Sequence, residues 1–168
     1  MDFRELVKNR YSVRAYKSNP VEGDKLRKIL EAAILAPTAA NRQPFRLLVI
    51  KTEGRQKDLK RIYGRDWFVQ APLVVCACAV KGESWVRKDG KNYGEVDATI
   101  AFTHLLLAAR DLGLGTCWIA AFDPEAARDV LNLPSELEPV AFTPLGYPAD
   151  KWNPKKRRPV SELVQFIT

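Results

Sequence analysis

The sequence predicts a chain that mixes helices with strands outside the doubly wound dinucleotide-binding class. Three observations lead there. Apolar runs of strand length at residues 45–51, 73–80 and 140–146 alternate with stretches whose apolar residues recur every three or four positions. The connections between these runs differ in length and character instead of repeating one strand-helix-strand unit. No G-x-G-x-x-G turn follows an early strand, which disfavours a Rossmann arrangement. With 168 residues the chain is long enough for one domain with a proper core, taken here as residues 1–168, of which about 147–168 form an extended tail.

The elements follow in order. Phe3, Leu6 and Val7 mark a short amphipathic stretch, after which residues 9–16 read Asn-Arg-Tyr-Ser-Val-Arg-Ala-Tyr. On an extended backbone Arg10, Ser12 and Arg14 share a face, because strand side chains alternate. Two guanidinium forks flanking a hydroxyl form a donor set suited to phosphate oxygens; an ordinary solvated basic turn is the alternative. Leu26, Ile29, Leu30, Ala33 and Ile34 line one face of a helix that runs to about Ala36, with Asn19-Pro20 and Glu22 as its start signal and Pro37 as its stop. Residues 38–43 are small and polar, a loop carrying a hydroxyl and side-chain amides, and residues 45–51 follow as a strand.

Residues 53–63 read as a charged surface helix, and residues 65–71 as an irregular connection holding Trp67 and Phe68. Residues 73–80 are apolar almost throughout, which suits a strand covered on both faces. A polar, turn-rich stretch at 81–94 sets Trp85 and Tyr93 among charges. The longest helical pattern spans 95–112 and is apolar round most of its circumference, so it belongs at the centre of the fold. Gly113 and Gly115 terminate it and lead to a strand near 116–119. Asp123 caps a further helix opened by Pro124 and closed near Asn132. From Tyr147 the chain turns proline-rich and basic, with one apolar stretch (Val160, Leu163, Val164, Phe166) that cannot form a core alone and lies across another surface, a second subunit being one candidate.

Composition narrows the function classes. Hydrophobic residues at 46% and charged residues at 28% match a soluble globular protein, no apolar run approaches spanning length, and Asp2, Arg4 and Glu5 break any signal-peptide core; a cytoplasmic location is expected. A net charge of +7 points to an anionic partner, but apart from Lys155-Lys156-Arg157-Arg158 the basic residues are dispersed and no nucleic-acid motif accompanies them. Cys76, Cys78 and Cys117 form no disulfide framework, and the first two read as small apolar fillers on one face of a buried strand. His104, the single histidine, reads as a core or interface residue, since nothing nearby in sequence would orient it as a base. No metal site is expected.

In chain order, the Arg-x-Ser-x-Arg motif, the loop Pro37-Thr38-Ala39-Ala40-Asn41-Arg42-Gln43-Pro44-Phe45, the segment Gly113-Leu114-Gly115-Thr116-Cys117-Trp118-Ile119 and the basic tail before Pro159 resemble the nitroreductase family of FMN-dependent oxidoreductases, over about residues 3–164. The resemblance implies an α+β fold, a central mostly antiparallel sheet wrapped by helices, working as an intertwined homodimer with FMN at the subunit interface. It implies that Arg10 and Ser12 hold phosphate, that Arg14 reaches the flavin N1 and C2 carbonyl, where reduction leaves negative charge, and that Pro37, Thr38, Asn41 and Gln43 contact the flavin of the partner subunit. By the same resemblance Trp118, Ile119 and Ala120 press against the ring near N5, while Lys155 and Arg157 close on the phosphate. Many relatives carry glycine or glutamate where this chain has Ala120-Ala121, and the Asn and Lys that relatives place before the second core strand have no match, Gly64 and Trp67 standing at the nearest spacing. The implied activity is hydride transfer from NADH or NADPH to FMN and onward, ping-pong, to a flat conjugated acceptor such as a nitroaromatic or quinone, with no catalytic side chain. Trp67, Phe68, Trp85 and Tyr93 are candidates for the pocket wall. A flavin carrier without turnover and a polyanion-binding protein are the alternatives.

Overall fold

The computed structural model of the chain describes residues 2–167, so the two end residues of the expected 1–168 unit lie outside the described residues. Four strands, β1 (Phe45–Lys51), β2 (Leu73–Val80), β3 (Gly115–Thr116) and β4 (Leu137–Gly146), form an antiparallel sheet in the order β1-β2-β4-β3. The helices are α1 (Phe3–Asn9), α2 (Gly23–Ile34), α3 (Gln56–Ile62), α4 (Gly94–Asp111), α5 (Pro124–Leu131) and the single turn α6 (Val160–Leu163). This is the α+β architecture expected, with an antiparallel sheet between helical layers.

Every residue of β2 is buried because helices cover both sheet faces. Side-chain alternation divides the strand between two cores. Leu73, Val75 and Ala77 pack with Ile29 and Ala33 of α2 and with Phe102, Leu105 and Ala109 of α4. Val74, Cys76 and Cys78 pack with Leu59 and Ile62 of α3, Phe68, Ala127 of α5 and Phe142. The apolar circumference of α4 thus places it as the main helix of one layer, where Phe102 also meets the Trp118 ring edge-on at 5.1 Å.

Two strand boundaries differ from the sequence reading, each for a hydrogen-bonding reason. β4 begins at Leu137, not Val140, and carries Pro139 opposite Cys78. Proline has no N–H for a ladder, and the pairing accommodates it with a register shift between Ala77 and Cys78. The strand expected at 116–119 is cut to Gly115–Thr116, since the Cys117 N–H donates to Thr143 Oγ1 at 2.9 Å instead of to the ladder. Ile119 then rejoins Phe142 through a separate bridge.

Helix ends follow their local chemistry. Asp123 Oδ1 accepts the N–H groups of Glu125 and Ala126, Pro124 occupies the first position of α5, and Asn132 closes the helix in the left-handed region at φ 48°. Helix α2 ends at Ile34, ahead of Pro37. Among the described residues no helix is long and apolar enough to cross a membrane.

Candidate functional site

Residues 10–16 run along the sheet edge formed by β3. The Val13 N–H donates to the Thr116 carbonyl at 2.9 Å, and Ser12 bridges Thr116 in parallel. Alternation then turns Val13 inward, 2% exposed, and leaves Ser12 and Arg14 on the opposite side. Gly115 permits this docking: a Cβ there would meet Val13 Cγ2 at 2.7 Å. Behind the motif lies the Cys117 thiol, which burial pushes up while Arg14, the Ser12 hydroxyl and Arg10 pull it down. Arg10, Ser12 and Arg14 thus all act on the Cys117 thiol.

The C-terminal segment comes back to the same spot. It pairs with residues 14–17 through the Lys17 N–H to Tyr147 carbonyl and Ala149 N–H to Ala15 carbonyl bonds, at 2.9 and 2.8 Å. Asp150 accepts from the Arg14 N–H at 2.7 Å and from the Tyr11 hydroxyl at 2.9 Å. Burial and the Asp150 carboxylate raise the Tyr11 hydroxyl to about 12. Further on, Lys155 Nζ donates to the Val7 carbonyl in α1. Burial lowers the Lys155 ammonium, and Arg10 and Arg157 lower it further. Both ends of the chain thus bring Arg10, Lys155 and Arg157 together, with Ser12 and Arg14 following in the same docked segment.

Beside that cluster a groove of about 360 Å³ is lined by Val7, Arg10, Thr103, Leu106, Leu107 and Trp118. Its floor is the exposed flank of α4, and its far wall is Trp118, half-buried after β3. Of the other two residues in that segment, Ile119 is buried against Phe142 and Ala120 is exposed. Cations at one end and an apolar floor at the other suit a ligand with an anionic tail and a flat ring, the chemistry of FMN.

The loop carrying Pro37, Thr38, Asn41 and Gln43 is not part of this assembly within one chain. It is fastened to the opposite end of α4, where the Ala39 N–H donates to Asp97 Oδ1 at 2.9 Å. From Asp97 to Leu106 the helix rises roughly 14 Å. The loop bonds to itself: Gln43 N–H to Thr38 Oγ1 at 3.0 Å, and Gln43 Nε2 to Asn41 Oδ1 at 3.3 Å.

The candidate wall aromatics are placed elsewhere. Phe68 is fully buried, edge-on to Phe142 and Tyr63, so it serves the core beneath α3 and not a pocket; Trp67 is half-buried and packs against Tyr63. Trp85 and Tyr93 pack on each other at 5.3 Å, with Arg87 and Lys91 over the Tyr93 ring. His104 reaches the Ala32 carbonyl at 3.3 Å and ties α4 to α2. Cys76 and Cys78 lie buried with sulfurs 3.6 Å apart. Sequence reasoning missed Asp150 and Asp97. Asp150 carries no motif; its role shows only once the tail is laid against residues 11–14.

Comparison with known proteins shows the family. The family model described as the nitroreductase family matches residues 7–65 and 59–147. A Thermus thermophilus protein named NADH dehydrogenase is 30% identical, the match covering 98% of this chain and 95% of that protein. A Bacillus subtilis protein named FMN reductase (NAD(P)H) is 30% identical over 88% of this chain and 66% of its own length. A crystal structure of a nitroreductase family protein from Clostridium difficile 630 superposes with a TM-score of 0.90 at 37% identity, covering 100% of this chain and 99% of that one.

Proposed function

The chain belongs to the nitroreductase family and is an oxidoreductase, and from that premise we propose that it binds FMN in the groove beside Arg10, takes hydride from NADH or NADPH, and passes the electrons to a flat conjugated acceptor of the nitroaromatic or quinone type. The observation that supports the reading is that Arg10, which lines the apolar groove, lies beside Lys155 and Arg157 of the tail, with Ser12 and Arg14 following it in the segment docked on β3.

Bound FMN supplies the two-electron chemistry; the chain supplies position and charge. Arg10, Ser12, Lys155 and Arg157 hold the phosphate. Arg14, its backbone fixed by Asp150, offers a permanent cation where the reduced ring gains negative charge. Leu106, Leu107 and Trp118 form a dry floor that keeps water from one ring face. The opposite face is left for donor and acceptor in turn, which is the ping-pong order. No nucleophile or metal is needed for this chemistry.

A second copy of the chain completes the site. Thr38, Asn41 and Gln43 present amides and a hydroxyl suited to flavin edge atoms, yet they sit at the far end of α4 from their own Arg10. Exposed apolar side chains that need cover support a dimer: Ile34 and Leu35 at the end of α2, and Phe166 and Ile167 in the tail, both 85% exposed.

The test is a visible absorbance spectrum of the purified protein after incubation with FMN and removal of free flavin, followed by anaerobic NADH and then NADPH. Retained flavin that bleaches with either nucleotide and recovers with a quinone or nitroaromatic is the expected result. Flavin that never bleaches makes the protein a carrier, and no retained flavin overturns the assignment.

A further inference from the structure

Asp97 lies in the first turns of α4 with 2% of its surface exposed. Its Oδ1 accepts the Ala39 N–H, while its Oδ2 is buried without a hydrogen-bond partner. A carboxylate placed so is costly to keep, and an apolar residue would serve the core of α4 better. What it secures is a strained turn. Ala40, Asn41 and Gln43 hold φ values of 51°, 52° and 52°, in the left-handed region that non-glycine residues occupy only where their surroundings enforce it. The turn's own bonds, from the Asn41 N–H to the Thr38 carbonyl and from the Gln43 N–H to Thr38 Oγ1, are made among residues that face outward. The bond to Asp97 fastens that turn to the body of the protein.

We propose that Asp97 is a positioning residue for the cofactor site of the other copy in a dimer: it holds residues 38–43 in the one shape that presents Thr38, Asn41 and Gln43 to the flavin gripped by the second chain's Arg-x-Ser-x-Arg motif. This rests on the function proposed above and adds a residue to it. Strain explains why a buried acceptor is used. A turn with three unfavourable backbone positions relaxes readily, and a carboxyl oxygen shielded from water gives the Ala39 N–H a fixed partner.

The experiment measures FMN affinity by quenching of flavin fluorescence in D97A, D97N and A39P, together with hydrogen exchange of the flavin-free proteins. D97A removes the acceptor, and A39P removes the donor from the loop side without touching the core of α4. Each is expected to weaken FMN binding about tenfold, the equivalent of one lost hydrogen bond, and to speed exchange across residues 39–43. D97N keeps an acceptor oxygen at the same place and is expected to stay within about threefold of wild type.

The decisive arm pairs D97A with R10E in a hybrid dimer purified through two different tags. If Asp97 serves the other copy's site, the hybrid holds one undamaged site, with Arg10 from one chain and the loop from the other, and binds one FMN at wild-type affinity. If Asp97 serves only its own chain, both sites are damaged and no tight binding returns, which overturns the assignment. D97A and A39P homodimers that bind FMN as wild type does also overturn it. A wild-type protein that retains no FMN removes the function itself, a separate outcome from a hybrid that fails while wild type binds.

Discussion

Gly115→Ala tests whether the docking of residues 10–16 on β3 sets the phosphate end of the site. The added methyl would stand 2.7 Å from Val13 Cγ2 and 3.0 Å from both Val13 Cβ and Cγ1. Carbon atoms rest at about 3.5–4.0 Å, so Val13 must retreat by about 0.8 Å. It has little room: it is 2% exposed and packs against Tyr16 and Ala71. The same retreat stretches the 2.9 Å bond from its N–H to the Thr116 carbonyl beyond hydrogen-bonding range. Overpacking costs about 2 kcal/mol and the lost bond about 1 kcal/mol, for a total of about 3 kcal/mol. For a chain of this size that lowers the melting temperature by about 6–12 °C.

Since Ser12 and Arg14 flank Val13, FMN affinity should fall alongside stability in G115A. Val13→Ala makes room for the new methyl. The double variant V13A/G115A should therefore be less damaged than the sum of the single changes by at least about 1 kcal/mol in urea unfolding. A G115A protein that melts within about 1 °C of wild type, or a double variant whose losses simply add, would show that the close approach of Val13 does not hold the motif in place.

Two further outcomes follow from the fold and from the tail. Phe142→Ala removes a fully buried ring that meets Phe122 at 4.8 Å and Phe68 at 6.3 Å, and urea unfolding should show a loss of about 3–5 kcal/mol; a loss under about 1 kcal/mol would mean that the layer beneath α3 and α5 collapses freely around the gap. Tyr11, held up to about 12 by burial and by Asp150, keeps its proton more tightly folded than unfolded, so its contribution to stability is full below the unfolded value of about 10 and is lost as pH rises through about 12. D150N should bring that titration down, visible as tyrosinate absorbance at lower pH, and an unchanged titration curve would remove Asp150 as a cause.

Strands β1 and β2 were legible to the residue because each is an apolar run bounded by polar turns, β2 covered on both faces and β1 partly exposed at the sheet edge. β4 and β3 were not, because side chains and proline intervened in the ladder: Pro139 reads as a strand breaker until the register shift at Ala77 and Cys78 is seen, and Thr143 takes the Cys117 N–H with a hydroxyl 26 positions away. The motif at 10–14 was legible as a donor set, and the tail as a segment without a core of its own. That the two lie together depends on bonds spanning more than a hundred residues, such as Arg14 to Asp150, which no local pattern encodes. The loop at 38–43 was legible as polar, but its left-handed residues are alanine, asparagine and glutamine, and an alanine at φ 51° leaves no mark in a sequence. Phe68 misled for the opposite reason: an aromatic residue in an irregular connection looks available, yet a short helical turn, Asp66–Val69, carries it inward.

The cationic end of the groove is arranged against its own electrostatics. The Lys155 ammonium is lowered by burial and then by its two cationic neighbours, Arg10 and Arg157. The charges are held together by backbone bonds between residues 15–17 and 147–149, by Lys155 on the Val7 carbonyl, and by Asp150, whose carboxylate takes two donors of the motif. Asp150 bonds the Tyr11 hydroxyl and the Arg14 N–H and brings a negative charge to the motif. An anion bound among Arg10, Ser12, Lys155 and Arg157 relieves what repulsion remains, so binding strengthens the hold of the tail on residues 10–17. The same tail carries α6 and the exposed Phe166 and Ile167 toward whatever covers them. If the tail docks on a second copy as proposed, anion binding among these cations and that docking would be linked through one short ribbon, each favouring the other.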